Sequence, residues 1–297
     1  MTDRSLQPLA SGDILVSATR LHAGARYPTG DGAVRQLRPD LSVRGEAATG
    51  HVGLLAHLGF DHAGHLWALD PQARAVARFD REGRRMPPPA LSGHPFGPML
   101  VLPGGDLLLG EHLAGPAGPF AGQGRVHRFA PDLAPLRVYD TQCHGGVAGF
   151  LGVTHMAVAG AGRLLYHLSE TGPHIFAHDL KGDRRLGPVF TLEAPPAMLF
   201  GLAALPGGDL MVATGGGLLR LRAEGGRLLA VSAIALPAPA SGRPGWANVI
   251  VRPHGGSVFA LDFLGGRLAE IDLASEKVIR TADLGLPSAL ASLVEVP

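Results

Sequence analysis

A short glycine-led apolar run, a turn and a second apolar run recur six times along this chain. The runs start at Gly12-Asp-Ile-Leu-Val, Gly64-His-Leu-Trp-Ala, Gly105-Asp-Leu-Leu-Leu, Gly162-Arg-Leu-Leu-Tyr, Gly208-Asp-Leu-Met-Val and Gly256-Ser-Val-Phe-Ala, at intervals of 52, 41, 57, 46 and 48 residues. Before each glycine after the first lies another apolar stretch: 54–60, 98–102, 153–159, 199–205 and 247–252. After it comes a segment in which apolar and polar residues alternate, as in Ala75-Val-Ala-Arg-Phe, Arg125-Val-His-Arg-Phe and Arg267-Leu-Ala-Glu-Ile. Alternation of this kind marks a half-buried strand. A fourth, more ragged and solvent-facing strand completes each unit.

A repeat near this period, built only of short strands, predicts an all-β fold, a six-bladed β-propeller with four-stranded blades. The runs are too short, and too often interrupted by Gly and Pro, for helical repeats. The tail Ala291-Ser-Leu-Val-Glu-Val-Pro297 looks like a pre-glycine strand that stops where the next glycine belongs, and Gly12 near the head supplies it. The N- and C-terminal strands are therefore expected to close the ring and remove its sheet edges. Residues 5–10 compete for the innermost closing position, so the pattern leaves open which terminus is inner. With no linker or charge block, residues 1–297 read as a single domain.

Composition narrows the partners. The formal net charge is +1, with 26 basic and 25 acidic residues, which gives no support for a nucleic-acid partner. The 43 glycines and 25 prolines sit between the apolar runs, as tight turns require. There is no apolar run long enough to span a membrane and no apolar leader after Met1-Thr-Asp-Arg-Ser. The single cysteine, Cys143, allows no internal disulfide. The expectation is a cytoplasmic monomer with a small-molecule substrate and neither a membrane nor a nucleic-acid partner.

Leu202-Ala-Ala-Leu-Pro-Gly-Gly-Asp-Leu-Met-Val-Ala-Thr and Phe263-Leu-Gly-Gly-Arg-Leu-Ala-Glu-Ile resemble the blade text of the NHL and gluconolactonase-like (senescence-marker-protein-like) six-bladed propellers. Virginiamycin-lyase-like propellers use a similar text, typically with seven blades. The resemblance spans nearly the whole chain but is one of repeat type, so it implies fold more than function. The Glu-Gly-Pro start of the gluconolactonases and their Glu, Asn and Asp metal ligands have no match here.

Candidate chemistry gathers at the channel mouth, where the inner strands begin. Seven positions before the repeat glycines lie His57, Pro98, His155, Gly201, Val249 and, continuing the pattern, Ser292. His57 and His155 occupy equivalent positions of two blades and are the expected ligands of one divalent metal ion, zinc, iron or copper, if a metal is held. Six positions after the glycines lie Ala18, Asp70, Glu111, Leu168, Thr214 and Asp262. Asp70 and Asp262 are expected to bond loop backbone. Glu111 and His112 open an insertion and are the candidates for proton transfer. Substrate-binding candidates are Arg20, in a long loop that also offers His22, Arg26 and Tyr27, together with His94, His144, Phe200, Trp246 and Asn248. Phe200 and Trp246 serve equally well as blade-to-blade packing, and His178 reads as a surface residue. No P-loop, Gly-x-Ser-x-Gly elbow or His-Glu-x-x-His motif is present. The leading expectation is a hydrolase of lactones or esters, or a lyase, metal-assisted if an ion is held. The alternative is a non-enzymatic propeller that binds a protein or small ligand.

Overall fold

The computed structural model describes the chain except residues 1–4, 25–27, 92, 113, 116–121, 142–151, 170–171, 194–197, 239–244, 253–255 and 285–288. Six four-stranded antiparallel sheets form the blades of a β-propeller, and the described residues contain no helix. The inner strands of blades two to six are His57–Phe60, Phe96–Val101, His155–Ala159, Leu202–Ala204 and Trp246–Val251. The second strands are Leu66–Asp70, Leu107–Glu111, Leu164–Leu168, Leu210–Ala213 and Ser257–Asp262.

The repeat glycines explain themselves in the turn between these two strands. Gly12, Gly64, Gly105, Gly162 and Gly208 have φ of 84, 79, 87, 87 and 95°, a left-handed conformation that a Cβ disfavours. An Asp frequently follows, and the chain then enters a buried strand such as Leu107–Glu111 or Leu66–Asp70.

The C-terminus supplies the inner strand of blade one. Leu293–Glu295 runs antiparallel to Ile14–Leu21, with Ile14 opposite Glu295 and Val16 opposite Leu293. Ser17 Oγ accepts hydrogen bonds from the backbone N–H of Ser292 (2.8 Å) and Ala291 (3.2 Å), and Ser292 Oγ accepts one from Leu58 N–H (3.1 Å). The first described residues take a different place. Leu6 is buried beside Leu15, Val34 and Val296, and Leu9 N–H donates to Arg81 O at 2.7 Å, so this segment ties blade one to blade two.

The hydrophobic core is not one body but six clusters, one between each pair of neighbouring blades. Leu15, Leu58 and Phe79 pack blade one on blade two, and Phe259, Leu261 and Leu290 pack blade six on blade one. A sheet with apolar side chains on both faces has to be sandwiched, and the ring does this for every blade.

Asp70 and Asp262 hold loops at the mouth side, as expected. Asp70 Oδ1 accepts from Ala73 N–H (2.9 Å) and Leu54 N–H (3.1 Å), and Asp262 Oδ1 accepts from Gly265 N–H (3.0 Å). Burial pushes the Asp70 carboxyl above its usual range, its backbone hydrogen bonds acting in the opposite sense. Gly53 makes room for it, since a Cβ there would lie 2.3 Å from Asp70 Oδ1. Gly53→Ala is expected to destabilise the fold by about 1–3 kcal/mol through overpacking of a carboxylate that cannot move. A denaturant midpoint equal to that of the native sequence would contradict this reading.

Candidate active site at the channel mouth

The inner strands enclose an axial cavity of about 410 Å³. Its walls are mostly apolar, with His57, His155, Asn248 and Ser292 as polar members. A smaller cavity of about 100 Å³ lies at the mouth, lined by His112, Thr154, His155, Phe200, Phe263 and small aliphatic residues. His155 borders both spaces and so marks where they adjoin.

Three consecutive blades each contribute one imidazole. His57 and His155 are the first residues of the inner strands of blades two and four, paired with Leu69 and Leu168 of the second strands. His112 arrives by a different route. It follows the last residue of the second strand of blade three, and it lies against Gly97, where a Cβ would fall 2.6 Å from His112 Cβ. The pairing of blade three is irregular between Phe96 and Met99, which lets the inner strand yield to this ring.

Burial holds all three rings neutral. His57 and His112 are pushed down to about 4 and His155 to about 3, in each case chiefly by desolvation. Mutual repulsion adds to it. A charge on His57 opposes protonation of His112, and charges on His112 and His57 oppose protonation of His155. His57 Nε2–H donates to Met99 O (3.2 Å), and His155 Nδ1 meets Thr154 Oγ1 at 3.2 Å. His112 Nδ1 is buried with no hydrogen-bond partner.

Glu111 is not part of this group. Adjacent residues on an extended segment face opposite ways, so as His112 turns to the mouth Glu111 turns into its own blade. Glu111 Oε1 accepts from His127 Nε2 (3.0 Å), Oε2 accepts from Arg125 N–H (3.1 Å), and the Arg125 guanidinium lies 3.7 Å away. The carboxylate therefore cross-links the second and third strands of blade three. Glu111→Ala should orphan the buried His127 ring and Arg125 N–H and lower stability by about 1–3 kcal/mol. A thermal melt tests this, and an unchanged Tm with lost activity would instead make Glu111 a direct participant.

The other candidates disperse. Phe200 lines the mouth cavity. Asn248 lines the channel and donates from Nδ2 to Ala291 O at 2.7 Å, tying blade six to the closing segment. Trp246 is 1% exposed, packs between blades five and six, and donates from Nε1 to Pro237 O at 2.9 Å, so it acts as blade packing rather than as a rim aromatic. Its ring faces the core because Trp246 opens an inner strand on the side of Met211 and Val249. Arg20 is exposed near the end of its strand, and neighbouring His22 bonds Asp31 at 3.2 Å. His94 is exposed and stacks on Phe96 with ring centroids 5.1 Å apart. His144, Cys143, Arg26 and Tyr27 lie outside the described residues.

Two results depart from the sequence reading. His178 is buried rather than superficial, 2% exposed, edge-on to Tyr139 and bonded through Nε2 to Asp183 Oδ1 at 3.0 Å. Alternation placed its side chain on the face that blade three covers. Thr154 and Phe263, both at the mouth, carried no signal in the repeat arithmetic, although Thr154 directly precedes a ring position that did. Among the described residues no three His, Cys, Asp or Glu side chains are arranged to hold a metal ion.

No family model and no curated protein matches the chain. Solved structures do. A chain of a nidogen/laminin complex matches at 15% identity and TM-score 0.65, over 96% of this chain and 99% of that one. A protein of unknown function from Bacteroides caccae matches at 14% identity and TM-score 0.67, over 97% and 99%. A catalytically inactive histidine-to-alanine variant of virginiamycin B lyase from Staphylococcus aureus, with quinupristin, matches at 12% identity and TM-score 0.55, over 95% and 88%. At these identities the likeness is one of fold, and the fold it supports is the one the blades display, a six-bladed β-propeller.

Proposed function

We propose that this propeller is a small-molecule enzyme of the lyase or hydrolase type, working by acid–base chemistry at the channel mouth. The observation that carries the reading is the convergence of His57, His112 and His155, three desolvated neutral imidazoles, His112 buried and the other two half-buried, with no carboxylate paired to any of them among the described residues. A purely structural histidine usually satisfies both ring nitrogens or faces solvent. These rings instead border cavities with apolar walls, the setting in which an imidazole stays unprotonated and keeps a lone pair available to a bound substrate. The likeness to a lyase propeller whose histidine-to-alanine variant is inactive supports the same class. The NHL and gluconolactonase-like blade text adds the hydrolase option.

A metal-assisted version rests on the same imidazoles. It would need ligands beyond the described set, because no three donors are suitably arranged within it. The binding alternative has its own support in the nidogen/laminin neighbour.

The test is turnover of a panel of lactones, activated esters and cyclic depsipeptides including quinupristin, with elemental analysis of the same preparation. The reading expects at least one substrate whose turnover is lost in the His57→Ala, His155→Ala double variant while the fold is kept. A stoichiometric metal lost in that variant would favour the metal-assisted form. No turnover across the panel would leave the binding alternative, and turnover indifferent to the double substitution would remove these imidazoles from the chemistry.

A further inference from the structure

The hydrogen bonds around the mouth fix more than ring position. Thr154 Oγ1 lies 3.2 Å from Leu168 O. A carbonyl only accepts, so the threonine hydroxyl must donate there. Its lone pair is then what meets His155 Nδ1 at 3.2 Å, and Nδ1 must carry the proton. His155 Nε2 is left as a bare lone pair on a ring that borders both cavities. His57 is fixed by the same logic, its Nε2–H committed to Met99 O.

His112 is constrained in the opposite sense. Its Nδ1 is buried, has no partner among the described residues, and sits where a Cβ on Gly97 would come within 2.7 Å. A buried N–H without an acceptor is rarer and more costly than a buried lone pair. The proton therefore belongs on Nε2, which is not among the buried unpartnered atoms. The side chains that line the mouth cavity with these two rings carry no charge: Leu54, Thr154, Phe200, Phe263 and alanines.

We propose that the fold locks His155 and His112 in opposite tautomers, so that the mouth offers one acceptor and one donor to an uncharged ligand bearing both a proton donor and a carbonyl-type acceptor. Thr154 is the positioning residue that holds His155 in its tautomer. This rests on the mouth being the ligand site, as the proposed function has it, and it names the chemistry of what that site recognises. Carboxylates are disfavoured because no cation among the described residues lines the cavity, and ammonium ions because no anion among them does.

The test is nitrogen–proton correlation spectroscopy of the imidazoles at neutral pH, with signals assigned through His155→Gln and His112→Gln. The expected result is a proton on Nδ1 of His155 and on Nε2 of His112. Thr154→Ser should keep the His155 pattern, and Thr154→Val should convert it to the other tautomer or to a mixture. A proton on Nε2 of His155, or on Nδ1 of His112, overturns the proposal. If the valine variant does not fold, the native and serine spectra still decide it. Benzamide, benzoate and benzylamine, titrated at equal concentration, test the ligand class. Benzamide should shift both ring signals at least tenfold more tightly than the other two, and tighter binding of benzoate or benzylamine would contradict the assignment. Tautomers as stated, with no turnover of any substrate, would leave this inference standing and remove the enzymatic reading.

Discussion

Lowering the pH from about 7 to about 5 is expected to destabilise this fold strongly, through histidines that the folded chain keeps unprotonated. His57 and His112 are held at about 4, and His155 and His167 at about 3, each first by burial. Above the ordinary value of 6.5, folded and unfolded chains both carry neutral rings and stability does not depend on these groups. Below it the unfolded chain takes up protons that the folded chain refuses, so stability falls as pH drops. The loss continues until each ring protonates within the fold near pH 4 or 3. At about pH 5 it amounts to on the order of 1–2 kcal/mol per ring. Asp179 works in a lower window. Arg163 beside Asp179 holds that carboxyl down to about 2, so its contribution is kept until pH falls through the ordinary 3.8. Melting temperature between pH 8 and pH 5 checks this, with His167→Leu as a control at a ring that does not line the mouth cavity. The native protein should lose Tm steadily, and the variant should lose less because one of the four rings no longer titrates. A flat profile in both would mean that the rings gain solvent or protons within the fold.

The second large effect concerns turnover. Once a substrate is in hand, His155→Ala is expected to lower kcat/KM by about 10²- to 10⁴-fold, the usual range for loss of a general base. The pH profile carries the distinguishing sign. A base that protonates only near pH 3 stays active throughout the range where an ordinary imidazole would be lost. The native rate should therefore remain flat from pH 8 to pH 5 at a temperature where the protein stays folded. A fall centred on 6.5 would assign the base to an exposed histidine instead.

The sequence resolves the fold more fully than the site. Five of the six repeat glycines, Gly256 being the exception, sit in the left-handed turn that opens a buried second strand, a local requirement written in one residue type. The equivalence of His57 and His155 is also legible, because both occupy one register position relative to those glycines. Glu111 and His112 are adjacent in sequence and were read as one unit. They separate in space because strand alternation sends one to His127 and the other to the mouth. Trp246 carried an even choice between rim and core, and only the cluster with Met211 and Val258 decides for the core.

What the sequence determined by itself is therefore the blade count, the turns, the strand order within a blade and the ring positions of two histidines. All of these follow from short-range rules of alternation and turn stereochemistry. The tertiary structure decided that the C-terminus is the inner closing strand, that His112 and Thr154 complete the mouth, and which nitrogen of each ring is engaged. The physical reason is that those outcomes depend on bonds and packing between blades. Ser292 meets Leu58 across 234 residues of chain, and His57 meets Met99 across 42. No local pattern encodes such a meeting, which exists only once the ring has closed.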